Sequence, residues 1–195
     1  MNFIAAFLIN IFDFIKEENN EEESFYIFLG LLTSTNYSEL FKNNLELLKK
    51  FFYIIERLIS ILLPELYNYF QDNNIRPSYF ISPWFLTLFS KAYEFTNLKL
   101  EPKVLLKIWD LFFLEGWKSI FSTIIFILKN NESRIMIYND EALLNFLNKD
   151  IIKEKFFENK NFNKFIHNFK IDDELIENIE KEFDIKNGNP NIKIF

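Results

Sequence analysis

Residues 107–121 read Lys-Ile-Trp-Asp-Leu-Phe-Phe-Leu-Glu-Gly-Trp-Lys-Ser-Ile-Phe. Ile108, Trp109 and Phe112 continue upstream to Val104 and Leu105 at the three-and-four spacing of a single helix face. Pro102 is placed to open that helix, because the first helical position needs no amide hydrogen. Gly116 is placed to stop it, since a left-handed cap is free of strain only for glycine. From Trp117 a second helix follows, over about 117–129, with Ile120, Phe121, Ile124, Ile125 and Leu128 on its apolar face. Two helices divided by one glycine set the reading for the rest of the chain, which has no convincing run of strict alternation.

Working outward, residues 45–63 repeat the pattern with Leu45, Leu48, Phe52, Ile55, Ile59 and Leu62. Glu46, Lys50 and Arg57 fall toward the other side, with Glu46 and Lys50 as a favourable i,i+4 pair. Pro64 ends this helix and can open the next, Asn73-Asn74 turns the chain, and Pro83 is expected to open a helix through Trp84, Leu88 and Phe89. From Phe3 to Ile15 only Asn10 and Asp13 are polar, which predicts a helix buried nearly all round. The acidic run Glu17–Glu23 links it to a helix through Phe25, Phe28 and Leu32, where its last carboxylates complement the helix dipole. Beyond about 135 the pattern weakens into segments at 139–148, 153–168 and 172–183, with a frayed tail over 184–195. The expected fold is all-α, an irregular multi-helix bundle.

Composition narrows the chemistry. The 195 residues hold no cysteine and one histidine, His167, which excludes disulfide scaffolds, thiol catalysis and any mechanism that needs two imidazoles. Three isolated glycines cannot form a phosphate-cradling loop. A formal charge of −6 does not advertise nucleic-acid binding. Phenylalanine occurs 26 times and lysine 19 times against 3 arginines, the signature of A/T-rich codons before that of an aromatic cage. The apolar N-terminus lacks a basic leader and is interrupted by Asp13, so it does not read as a signal peptide.

The carboxylates at Glu21–Glu23 and Asp172–Glu174 read as solvated first turns of helices. His167 lies on a Phe-rich helix without a second ligand nearby and reads as a packing or surface residue. Residues 149–170 interleave six lysines with Phe156, Phe157, Phe162, Phe165 and Phe169. A terminal helix with its Phe face on the core is the first reading; peripheral contact with an anionic membrane is the second.

Three segments in order resemble one family. Residues 107–121 are similar to the hallmark block of the TBC domain, the Rab GTPase-activating domain; Trp84-Phe85-Leu86-Thr87-Leu88-Phe89 is similar to its Trp-Phe-Leu-x-Leu-Phe helix; and Leu62-Leu63-Pro64-Glu65-Leu66-Tyr67-Asn68-Tyr69-Phe70 resembles the segment before it. The resemblance covers roughly 1–135, leaving 136–183 as further helices without a specific match. In this family Tyr-x-Gln-Gly is followed directly by Met-Asn and a small-apolar helix, as in residues 1–5 here. The resemblance therefore implies a chain that begins just after the catalytic glutamine motif, with Met1 not the natural start of the functional protein. Upstream helices would then surround Phe3–Ile15.

The resemblance further implies a regulator of GTP-bound Rab proteins, not an enzyme in its own right, without a cofactor, cytoplasmic and in part peripheral to endomembranes. The family inserts an arginine from Ile-x-x-Asp-x-x-Arg and a glutamine from Tyr-x-Gln into the partner's nucleotide site. Arg57, Arg76 and Arg134 stand outside such a motif and Gln71 follows Tyr69-Phe70 in another context, so no catalytic residue carries over. The positions that match the family signature are Trp84, Phe85, Phe89, Trp109, Asp110, Phe113 and Gly116, with the Trp and Phe side chains expected in the core and Asp110 expected to be paired or hydrogen-bonded. The competing readings are a catalytically dead TBC-like module that binds or scaffolds a GTPase, and a structural helical protein at a membrane surface.

Overall fold

A computed structural model describes residues 2–16, 21–91, 102–152 and 171–188. Nine α-helices occur among them: α1 (Asn2–Lys16), α2 (Glu21–Ser34), α3 (Glu46–Leu62), α4 (Pro64–Asp72), α5 (Ser78–Thr87), α6 (Pro102–Glu115), α7 (Trp117–Ile135), α8 (Asp140–Asn145) and α9 (Asp173–Asn187). Short 3₁₀ turns at Tyr37–Phe41 and Asn43–Leu45 lead into α3, and a π turn at Phe146–Asp150 continues α8. No strand occurs among the described residues, so the all-α expectation holds. The segment 153–168, His167, most of the lysine-rich patch and residues 189–195 lie outside the described residues. No helix among those described is long and apolar enough to cross a membrane.

The core is organised around Phe51 of α3. Its ring packs 5.2 Å from Phe85 of α5, and 4.7 and 5.1 Å from Trp117 and Phe121 of α7. Phe112 of α6 closes on Trp117 at 4.9 Å. Four helices thus share one aromatic cluster, which buries four of the 26 phenylalanines. Such ring pairs prefer the tilted and edge-on geometries seen here.

Several expectations are corrected by packing. Within α3 the buried face is Leu47, Leu48, Lys50, Phe51, Ile54, Ile55, Leu58 and Ile59, while Leu45 and Leu62 at its ends are exposed. Lys50, expected to face water, is 1% exposed because α9 lies over that side of α3. The α9 helix also runs to Asn187 and is capped by Gly188, so the expected fraying from 184 does not start there. In α1, Ile4, Phe7, Leu8 and Ile11 are buried, but Ala6, Ile9 and Asn10 are exposed. Its burial is one-sided, against α2 and, through Phe7 at 5.1 Å from Trp109, against α6. Phe25 of α2 is likewise exposed, the inward positions being Ser24 and Leu31.

Pro83 does not open α5. The helix starts at Ser78, and Pro83 sits inside it, where it removes the amide that would reach the Tyr79 carbonyl. Side-chain hydroxyls brace the same helix, Ser82 donating to the Ser78 carbonyl at 2.5 Å and Thr87 to the Pro83 carbonyl at 2.6 Å.

Gly116 links α6 and α7 with φ +65° and ψ −150°. This is not the left-handed cap expected but the extended region at positive φ that is essentially reserved for glycine. A Cβ there would meet nothing within 4 Å, so any penalty comes from the backbone alone. Gly116→Ala is expected to destabilise the protein by about 1–3 kcal/mol, measured by urea unfolding. A change within about 0.5 kcal/mol would show that the linker relaxes without strain.

Candidate functional site

The end of α5 is a strained stretch of buried backbone. Leu88 (φ 45°) and Phe89 (φ 63°) both adopt left-handed conformations that branched and bulky residues avoid. Two such residues in succession are held only where the surroundings over-determine them. Both are fully buried, as are Trp84 and Phe85, and Trp84 stacks on Phe89 at 5.5 Å across the turn.

Two buried side chains fasten this turn from outside. Trp109 of α6 donates from Nε1 to the Leu88 carbonyl at 2.9 Å, and Tyr37 donates from its hydroxyl to the Leu86 carbonyl at 2.6 Å. Burial pushes the Tyr37 phenol well above its ordinary range, so it stays a hydrogen-bond donor throughout the accessible pH range. Further stapling comes from Ser90, whose hydroxyl donates to the Thr87 carbonyl at 2.6 Å. Trp109→Phe and Tyr37→Phe should each leave a buried carbonyl without its donor, at about 1–3 kcal/mol. The double variant should cost close to the sum if the two bonds act independently, and urea denaturation of all four proteins makes that test. Losses below about 0.5 kcal/mol would mean that the turn does not depend on them.

The signature positions therefore divide. Trp84, Phe85, Phe89 and Trp109 converge on this turn, and Gly116 shapes the corner after α6. Phe113 does not join the core; it is 47% exposed, one turn beyond Trp109 and at its edge. Asp110 is exposed as well, so water rather than a buried partner solvates its carboxylate. Tyr37 was not legible from the sequence, since nothing in its neighbourhood marks a contact that spans 49 residues.

The chain's three arginines come from three different segments. Arg57 donates from Nε to Glu182 at 3.0 Å, Arg134 lies 5.3 Å from the centre of the Phe146 ring, and Arg76 is exposed beside the start of α5. Gln71 is exposed near the end of α4. The acidic groups singled out by sequence also have local roles: Asp172 caps α9 by accepting from the Glu174 amide at 3.1 Å, and Asp173 pairs with Lys118 at 2.5 Å. No group of three or more His, Asp or Glu side chains suited to a metal ion occurs among the described residues.

What the fold and this turn define is an all-helical domain whose distinctive residues hold a buried, strained turn. The chain belongs to the Rab-GTPase-TBC domain family, which matches residues 1–136. Among its relatives, the mouse protein named ecotropic viral integration site 5 protein is 30% identical over 131 residues, 67% of this chain and 15% of that protein. The GTPase-activating protein GYP5 of Saccharomyces cerevisiae is 33% identical over 152 residues, 77% of this chain and 15% of its own length. The Rab GTPase-activating protein eat-17 of Caenorhabditis elegans is 26% identical over 147 residues, 75% of this chain and 15% of its own length. The chain thus spans about 15% of the length of each.

Proposed function

We infer that the protein regulates Rab-type small GTPases, and that these 195 residues supply the packed helical body of a GTPase-activating domain rather than its catalytic fingers. The family match over residues 1–136 carries this reading. Catalysis of this kind depends on an arginine that neutralises charge developing on the transferred phosphoryl group and a glutamine that orients the attacking water. The pairing of Arg57 with Glu182 and the seating of Arg134 on Phe146 favour structural roles for those two arginines. The partner in this reading is a GTP-loaded Rab protein, met on the cytoplasmic face of endomembranes.

A single-turnover hydrolysis assay across a panel of Rab proteins tests it. The 195-residue chain alone should leave the intrinsic rate unchanged, whereas an arginine supplied in trans accelerates such reactions by roughly a thousand- to a hundred-thousand-fold. Acceleration that survives substitution of Arg57, Arg76 and Arg134 would overturn the assignment of the fingers to a place outside this chain.

A further inference from the structure

Away from the α5 turn, a half-open groove of about 350 Å³ lies between α3, residues 76–78 and the end of α9. Its α3 wall is a single stripe, Lys49, Phe52, Tyr53 and Glu56, at the i, i+3, i+4, i+7 positions of one helix face. Lys49 and Glu56 therefore stand at opposite ends of the stripe, about 10 Å apart along the helix, with two rings between them. Arg76 enters from the segment before α5, and α9 adds Phe183 and Lys186. Phe183 packs 5.4 Å from Tyr53, and Lys186 donates to the Tyr53 hydroxyl at 2.9 Å.

Charge and shape select the class of ligand. Lys49, Arg76 and Lys186 face one lining carboxylate, Glu56, and Lys186 also lies 3.9 Å from Glu182 on α9, so the surplus positive charge rests on Lys49 and Arg76 in a chain whose formal charge is −6. Neither Lys49 nor Arg76 has an ion-pair partner among the described residues. A phosphate monoester, with a charge of about −1.5 to −2 at neutral pH and three acceptor oxygens, matches that surplus. Phe52 and Phe183 offer apolar walls to a planar ring, and Glu56 offers an acceptor to a ring amino or hydroxyl group. The volume falls within the range of small-molecule sites.

We propose that this groove binds a small organic phosphate of nucleoside-monophosphate size, its phosphate on the cationic side and its ring against the aromatic wall. The proposal is independent of the Rab reading. Because one wall comes from α9, beyond the residues that match the family, the bound ligand also ties α9 to α3.

Adenosine 5′-monophosphate is the probe, with adenosine and inorganic phosphate as its two halves, titrated into the 195-residue chain and followed by amide chemical shifts. The expected result is saturable binding with Kd of about 1 mM or tighter, shifts confined to 49–56, 76–78 and 183–187, and slowed amide exchange in α9. Each half-ligand should bind roughly tenfold or more weakly, and so should the probe to Lys49→Ala/Arg76→Ala, whose replaced side chains are exposed and whose fold is checked by circular dichroism. The control Lys129→Ala on α7 should bind as the parent does. The absence of saturable binding, an equal loss in the control, or shifts centred elsewhere would overturn the proposal.

Discussion

Phe51→Ala is expected to lower the unfolding free energy by about 3–5 kcal/mol. Phe51 is 0% exposed and its ring is enclosed by Phe85, Trp117 and Phe121, contributed by two other helices. Truncation removes the transfer energy of the ring and leaves a cavity whose walls are themselves rigid rings, so little collapse can offset it. Phe25→Ala is the matched comparison. The same residue type is lost at a position 59% exposed, and the change should stay within about 0.5 kcal/mol. Urea unfolding of both variants decides the matter, and similar losses at the two sites would refute the central role of the α3 cluster.

Lys50→Ala should cost about 3–5 kcal/mol at pH 8 for a different reason: it leaves two half-buried carboxylates without the buried cation that pairs with them. The Lys50 ammonium lies 3.1 Å from both Asp184 carboxylate oxygens and 3.9 Å from Glu180, joining α3 to α9. Burial raises Glu180 from 4.5 to about 7; Lys50 opposes that rise, while Asp184 and Glu177 add to it. Its Oε1 has no hydrogen-bond partner among the described residues. The native state therefore holds the Glu180 proton more tightly than the unfolded chain does. That contribution is fully present below about pH 4.5 and is lost as the pH rises through about 7. Removing Lys50 removes the cation that opposes the shift, so the penalty should shrink toward pH 5.5, where Glu180 takes up a proton. Adding Glu180→Gln to Lys50→Ala should restore part of the loss at pH 8 and flatten the profile. A penalty that is independent of pH between 5.5 and 8 would rule out this account.

The helices were legible where the local physics is self-contained. Pro64 and Pro102 open helices as expected, and Gly116 breaks one, because the missing amide and the positive φ are properties of those residues wherever they occur. The helical period of 45–63 and the resemblance of residues 84–89 and 107–121 to the TBC signature were likewise written in side-chain type and spacing. Periodicity assigns an apolar face but not what lies across from it. For that reason the sequence alone points Lys50 toward water, although it shares a face with Leu47 and Ile54 and an apolar arc wider by one position includes it.

Only the tertiary structure decided which phenylalanines are buried, since Phe51 and Phe25 are chemically identical and differ in whether another helix covers them. It also decided that Pro83 sits inside α5, that Phe113 and Asp110 face outward, and that Tyr37 reaches the Leu86 carbonyl 49 residues away. Left-handed Leu88 and Phe89 run against their own preferences, and a conformation that residues disfavour can be held only by neighbours brought from elsewhere in the chain, here Tyr37 and Trp109. The same holds for the groove beside α9: its cations come from positions 49, 76 and 186, and no local pattern connects them until the helices pack.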